Sequence, residues 1–357
     1  MTPDQYEYYI SYFGVERRND RWLMGNFLRD NDSQVKADEI KYEEAMRLEK
    51  ENEKKNFLYN PVHGTMDTND IEQYIAKTRI KTVEFIQYGD RLIEVWYYSP
   101  LPPEFHCKIL YVCPFCLSFF TKRFELEQHS ALCTVRCPPG DEIYRDESLS
   151  VFELDNKSQK LYTENLCYLA KCFLDHKFIE YELPQFYFYV LCERKADGFY
   201  MCGYFSKEKD NMFNNLSCIM VLPICQGGGY GKFIVDFSYS LSLKEGRQGT
   251  PETPLSDLGH RLYVSYWTNR VLNFLLTNTE KNLSIQDIAN NTGITVKDIQ
   301  YVLDSYDILR RNQGRYFLYT DPDFLQNILN QKGRPFREVQ REKIHWVPQL
   351  SGKDVKK

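Results

Sequence analysis

Cys218-Ile219-Met220-Val221-Leu222-Pro223 is followed, after two residues, by Gln226-Gly227-Gly228-Gly229-Tyr230-Gly231-Lys232 and then by Phe233-Ile234-Val235-Asp236-Phe237 on to Leu241. The first run is short, continuously apolar and closed by proline, which predicts a buried strand. The apolar spacing after Lys232 predicts a helix. Strand, glycine loop, helix is how a chain sets bare backbone N–H groups and a helix N-terminus against a phosphate. Glycines there can take positive φ and let a ligand approach the main chain. The expected ligand is the pyrophosphate of a nucleotide-type cofactor. A polar turn, Gly249-Thr250-Pro251-Glu252-Thr253-Pro254-Leu255-Ser256-Asp257, closes the stretch.

Around it, 357 residues suffice for a sizeable core and two or three structural units. A formal net charge of −5 makes the whole molecule a poor electrostatic partner for nucleic acid, yet compatible with a basic peptide. No run of about 18 apolar residues predicts a membrane span. Met1-Thr2-Pro3-Asp4-Gln5 has no apolar leader character. Eleven cysteines are an odd number, so reduced thiols in cytosol or nucleus, some on metal, are expected rather than a disulfide framework.

Four of those thiol and imidazole positions have metal spacing. Two residues separate Cys113 from Cys116, twelve separate Cys116 from His129, and three separate His129 from Cys133. The first pair fits a tight knuckle and the second shares one helix face at i, i+4, which suits tetrahedral zinc. Phe120 and Leu126 fall where a small finger needs its core. Lys122, Glu125 and Gln128 would face a DNA groove, but Glu125 and Glu127 weaken phosphate attraction and there is no second finger. A structural zinc is therefore expected. Cys107, Cys137, Cys167, Cys172, Cys192, Cys202 and Cys225 make no second set of four and read as ordinary buried thiols. Upstream, Thr82–Tyr88 and Arg91–Tyr97 about Gly89-Asp90 predict a hairpin.

Between the finger and the glycine loop the chain alternates strand-like and helix-like pieces. Leu149–Leu154 and Phe186–Leu191 read as strands and Asn165–Phe173 as a helix, which predicts an α/β domain. Beyond the loop, Leu258–Thr277 is helical by pattern. Ser284-Ile285-Gln286-Asp287 and Thr295-Val296-Lys297-Asp298 read as capping boxes, with Gly293 between their helices. Gln313-Gly314 then makes a wing-like turn. The second of those helices sets Lys297 against Asp298 and Asp304, so packing on the core is expected in place of DNA reading. The basic positions Lys332, Arg334, Arg337, Arg341 and Lys343 could meet cofactor phosphates or nucleosomal DNA.

Ordered blocks carry a family resemblance. Pro138-Pro139-Gly140 with Glu142-Ile143-Tyr144-Arg145, Asn165–Lys171, Phe173–Lys177, Gly203–Lys209, Gly229-Tyr230-Gly231-Lys232 and Pro254–Gly259 resemble the MYST family of histone acetyltransferases. The finger is similar to that family's zinc finger. Tyr8–Arg29 is similar to the middle of a chromo-barrel, which points to the males-absent-on-the-first or Esa-type branch. Boundaries drawn on this basis are 1–30 for a partial chromo-barrel remnant, 31–70 for a Glu/Lys-rich linker, 71–145 for hairpin plus finger, 146–275 for the acetyltransferase core and 276–357 for a helix-turn-helix-like segment.

The resemblance implies a GNAT-like α/β core that binds acetyl-coenzyme A, with zinc as the second cofactor. It implies Gln226, Gly227, Gly228, Gly229, Tyr230, Gly231 and Lys232 around the pyrophosphate, the main chain of Ile219 and Val221 against the pantetheine arm, and Ser256 as a further contact. Glu252 matches the general base, Cys218 the active-site cysteine and Lys177 the self-acetylated lysine. Histone tails on the nucleosome, a nuclear location and partners in a chromatin-modifying complex follow, with no membrane association. The chemistry agrees: a lysine of pKa about 10.4 is neutral in only about one molecule in a thousand near pH 7.4, a cost of roughly 4 kcal/mol that a nearby carboxylate can lift by taking the proton. Direct attack by lysine is favoured over relay through Cys218. One departure stands out. The family loop has two arginines where this chain has Gly227 and Gly228, which predicts acetyl-coenzyme A binding weakened by ~10- to 100-fold or, at the extreme, a scaffold without turnover.

Overall fold

The computed structural model describes residues 7–10, 21–24, 81–175, 183–211, 213–278, 283–312, 315–332 and 336–348. Met1–Ile80 and Lys81–Lys357 form separate compact units. In the first, β1 (Glu7–Ile10) pairs antiparallel with β2 (Arg21–Met24), Glu7 opposite Met24. The rest of the 1–30 remnant and the 31–70 linker lie outside the described residues.

The second unit opens with a four-stranded sheet in the order β4-β3-β5-β6. Its strands are β3 (Val83–Tyr88), β4 (Arg91–Glu94), β5 (Cys107–Val112) and β6 (Phe119–Phe120). Helix α1 (Arg123–Leu132) follows. Next come β7 (Asp141–Arg145), β8 (Leu149–Asp155), α2 (Lys160–Lys171), β9 (Phe186–Lys195) and β10 (Gly198–Glu208). Then follow β11 (Asn214–Leu216), β12 (Ile219–Val221), α3 (Tyr230–Lys244), β13 (Thr250–Pro251) and α4 (Asp257–Thr277). The chain closes with α5 (Ile285–Thr292), α6 (Val296–Ser305), the hairpin β14 (Leu309–Asn312) and β15 (Arg315–Leu318), and α7 (Pro322–Lys332).

The central sheet is antiparallel, ordered β12-β10-β9-β8-β7. Side chains alternate across it, as a pleated strand requires. Phe152, Val190 and Tyr204 face one core, shared with α2 and with Val83, Ile86, Leu110 and Leu117 of the zinc unit. Val151, Tyr189 and Phe205 face the other, packed by Phe233, Phe237 and Leu241 of α3. A third core joins Val235 and Tyr239, on the far side of α3, to α4, α5, α6 and α7. Helix α3 thus has cores on two sides, which explains why all residues from Phe233 to Ser242 are buried. Its buried hydroxyls donate to carbonyls of the same helix, Ser238 to Val235 at 2.7 Å and Ser240 to Asp236 at 2.8 Å.

Some boundaries differ from expectation. Helix α2 starts at Lys160 and not Asn165, because Tyr162 and Thr163 are buried in its first turn. The Ser284 capping box is complete, its N–H donating to Asp287 Oδ2 at 2.9 Å. Thr295 makes only half of one: its hydroxyl donates to the Asp298 carboxylate at 2.7 Å, where in the box the Thr295 backbone N–H would donate. The turn Gln313-Gly314 lies outside the described residues; the helix pair and the strands that flank that turn follow in the expected order.

Asp236 ties the three layers together. Its carboxylate, buried in α3, accepts from the Tyr266 hydroxyl at 2.9 Å and from the Val339 N–H at 2.9 Å, and pairs with Arg270 at 2.7 Å. Breaking a buried pair by removing one partner strands the other charge, at a cost of about 3–5 kcal/mol. Arg270→Met should therefore lower unfolding stability in urea by about that amount, and should expose the segment around Val339 to protease. Wild-type stability together with an intact segment would count against this role for Asp236.

Candidate functional site

The glycine loop begins at an open sheet edge. Leu222 N–H donates to the Cys202 carbonyl at 2.9 Å and Ser206 N–H to the Cys218 carbonyl at 2.9 Å, with Met220 opposite Tyr204. In an antiparallel ladder main-chain groups alternate sides. Cys218, Met220 and Leu222 therefore direct theirs toward β10, and Ile219 and Val221 direct theirs outward. Among the described residues no strand pairs with that outer edge. The Gln226 side-chain amide reaches it, donating to the Val221 carbonyl at 3.1 Å.

At one end of this edge the turn Pro223–Cys225 leads into Gln226 and the glycines. Gly227 has φ +83° and Gly229 φ +84°, and a Cβ added at either would meet nothing within 4 Å. Both residues sit in the left-handed region that side chains disfavour, with open space beside them. Gly229 caps α3 without any side-chain bond, so first-turn N–H groups of the helix have no intrahelical acceptor and face the loop. A Cβ on Gly228 would lie 2.8 Å from the Tyr230 ring, whose hydroxyl donates to Glu193. Gly231 lies against Val221 of β12 and Leu262 of α4. Ser256 is the N-cap of α4, its hydroxyl accepting from Gly259 N–H at 3.1 Å.

At the other end β11 and β13 run parallel, Asn214 opposite Thr250 and Leu216 opposite Pro251. Their last bond is from Glu252 N–H to the Leu216 carbonyl at 2.9 Å. Cys218 lies two residues beyond Leu216, so Glu252 and Cys218 leave the pair at the same end. Glu252 is exposed and Cys218 half-buried, with the Cys218 N–H donating to Ser206 Oγ at 3.2 Å. Ser206 and Glu193 support this region but lie 12 and 37 residues from their partners, where no local pattern marks them. Lys177 and Arg334 lie outside the described residues. Of the basic positions expected to meet cofactor phosphates or nucleosomal DNA, Arg337 is instead engaged by Asp146 at 2.6 Å and by Ser148 at 2.7 Å.

The comparisons with known proteins converge. Residues 137–344 match the MOZ/SAS family and residues 80–133 the MYST family zinc finger domain. The chain is 41% identical over 350 residues to "Histone acetyltransferase of the MYST family 2" of Arabidopsis thaliana, covering 97% of this chain and 78% of that protein. It is 41% identical over 353 residues to "Putative MYST-like histone acetyltransferase 1" of Oryza sativa subsp. japonica, with the same coverage. With "Histone acetyltransferase ESA1" of Mycosarcoma maydis it shares 42% identity over 271 residues, 75% of this chain and 47% of that protein.

The zinc-finger match contains all four expected ligands. The donor atoms of Cys113, Cys116, His129 and Cys133 lie within 4.8 Å of one another, near the roughly 3.7 Å that tetrahedral zinc–sulfur geometry sets between ligands. Cys116 Sγ is 3.2 Å from His129 Nε2. The Cys116 thiol is held down to about 4, chiefly by its hydrogen bond with Cys113 and further by Ser118, against the opposing effect of burial. Three thiols and an imidazole suit zinc and leave no open coordination position for catalysis. Helix α1 buries none of its residues, so the metal holds it in place of a core. Removing zinc with a chelator should leave α1 open to proteolysis within 123–132 while the sheet strands stay protected. Protection of α1 in metal-free protein would contradict this.

Proposed function

The chain belongs to the MYST family of histone acetyltransferases, and from that premise we propose that the open edge and glycine loop bind acetyl-coenzyme A for transfer to lysines of histone tails, with Glu252 as general base. The observation that carries this reading is the outward-facing main chain of Ile219 and Val221, bounded by the α3 N-terminus at one end and by Glu252 and Cys218 at the other. Outward N–H and C=O groups on an edge strand suit an extended, amide-bearing arm. Gln226 to Lys232 offer main-chain donors to a pyrophosphate. Ser256, already the cap of α4, adds a hydroxyl.

Acetyl-coenzyme A supplies an activated thioester carbonyl. This chain's part is to hold the arm along β12, to admit a lysine at the exposed mouth and to take its ammonium proton onto the Glu252 carboxylate. Cys218 packs beside the reacting centre, and direct attack by the amine needs no covalent step on its sulfur; a Cys218→Ser variant that binds cofactor but transfers nothing would reverse that order. Lys177 remains the candidate self-acetylation site. A histone substrate implies the nucleus and a chromatin complex as the setting.

General-base removal costs about 10²–10⁴ in rate. With labelled acetyl-coenzyme A and core histones, Glu252→Gln should lose kcat by roughly that factor while cofactor binding holds. The deficit should shrink as pH rises toward the lysine's own pKa, because the free amine then needs no base. Near wild-type turnover at neutral pH would remove Glu252 from the mechanism.

A second reading, a scaffold with weakened catalysis, is favoured by Gly227 and Gly228. Adding an arginine at either position does not simply restore the family loop. A charge-assisted bond gains about 1.5–3 kcal/mol, whereas a side chain held at φ +83° gives back about 1–2 kcal/mol. Gly227→Arg should leave acetyl-coenzyme A affinity nearly unchanged. Gly228→Arg escapes the left-handed φ but brings its Cβ to 2.8 Å from the Tyr230 ring and 3.3 Å from the Cys225 carbonyl, so part of the gain goes into moving that ring, and it should tighten binding by up to roughly tenfold in calorimetry. The opposite ranking would refute this account of the loop.

A further inference from the structure

The three consecutive glycines of the loop have no side chains with which to fix themselves, so their conformation depends on the residues at either end. At the first end Gln226 is exposed, and its amide bonds to Val221, five residues back. At the second end Tyr230 is half-buried, and its bond leaves the loop altogether: the hydroxyl donates to Glu193, 37 residues earlier. Glu193 stands on β9, the middle strand of the five, opposite Tyr200 of β10 and Leu149 of β8. A strand bonded on both sides gives the acceptor a rigid base. Strand alternation puts Glu193 on the same face as Tyr189 and Leu191, the face that α3 packs against. The Tyr230 ring lies against that core as well, and it comes so close to Gly228 that an added Cβ would be 2.8 Å away. Burial and the bond to Glu193 raise the Tyr230 hydroxyl above its ordinary value, so it stays able to donate at any pH at which the enzyme is assayed.

We infer that Glu193 is a positioning residue for acetyl transfer: through the Tyr230 hydroxyl it holds residues 227–229 in the conformation that receives the cofactor. It acts through Tyr230 and not on the reacting atoms. A glycine loses more backbone freedom on being ordered than any other residue, and freedom already removed in the free protein is not charged against binding. Side-chain cations at positions 227 and 228 could offset a loosely held loop. Glycines cannot, so the tether carries a larger share of the affinity in this chain. The inference rests on the loop binding acetyl-coenzyme A, and the experiment separates the two.

The test uses the full zinc-loaded chain and four variants: Glu193→Ala, Glu193→Gln, Tyr230→Phe, and Glu193→Ala combined with Tyr230→Phe. Without cofactor, amide hydrogen exchange is followed in the peptide covering 226–232. Glu193→Ala should exchange there roughly tenfold faster, with β9 and β10 as protected as in wild type. Unchanged exchange would overturn the tether, whatever the loop binds. Calorimetry with acetyl-coenzyme A should show affinity lowered roughly tenfold in Glu193→Ala and in Tyr230→Phe. The double variant should be no weaker than either single one, because both remove the same bond. Glu193→Gln keeps a side-chain oxygen that accepts the bond and should recover most of the affinity. With core histones, Glu193→Ala should raise KM for acetyl-coenzyme A and leave kcat at saturation near wild type. Wild-type affinity in Glu193→Ala, additive losses in the double variant, no recovery in Glu193→Gln, or a fall in kcat in place of the rise in KM would each overturn the inference. A wild-type chain that binds no acetyl-coenzyme A would overturn the reading of the loop, and with it the positioning role, while the exchange result would still decide the tether.

Discussion

The parallel pairing of β11 with β13 ends with the bond from Glu252 N–H to the Leu216 carbonyl, and the site follows from where it ends. Had the pair continued, β13 would have covered the outer edge of the chain from Cys218 to Val221 with main-chain hydrogen bonds. An unpaired strand edge is a standing demand for donors and acceptors. Here the demand falls on two residues, Ile219 and Val221, beside a helix N-terminus. The sheet supplies a ready surface for an extended ligand without reorganising. Because both strands leave the pair at the same end, Glu252 and Cys218 emerge there although 34 residues separate them.

Holding that geometry requires α3 to be immobile, since its N-terminus fixes the loop. The helix lies between the sheet core and the helical C-terminal core, and Asp236 links it to Arg270 of α4 and to Val339 of the tail. A carboxylate this buried, holding three partners at once, specifies one arrangement of the layers more than it adds stability. The tail continues past it: His345 N–H donates to the Ile143 carbonyl at 2.8 Å and Trp346 Nε1 to Glu153 at 2.7 Å. Residues far from the site in sequence thus set the angle at which α3 presents its first turn.

What could be read from the chain alone was what is encoded locally. Cys113, Cys116, His129 and Cys133 are legible because a knuckle and one helical turn fix their spacing, and the glycine loop because strand, loop and helix are consecutive. The Ser284 cap is legible for the same reason. The β11–β13 pair was not: Leu216 and Pro251 are 35 residues apart, in strands too short for periodicity to mark. Nor was the bulge at Cys202, which depends on the register of β9 against β10. The half-formed box at Thr295 shows the reverse limit, a local motif whose two side chains bond each other.

On the proposed reading of the loop, backbone and charge divide the work of holding a phosphate. With Gly227 at φ +83° and Gly229 at φ +84°, the chain turns sharply enough to aim the first N–H groups of a fifteen-residue helix outward. That helix carries roughly half a positive charge at its N-terminus, and burial of the helix keeps water from screening it along most of its length. Arginines would add mobile cations at the rim, where solvent screens them and ordering them costs side-chain entropy. The glycine version retains the fixed part of the attraction and gives up the mobile part. On the proposed reading it therefore preserves where a pyrophosphate sits while loosening how tightly it is held.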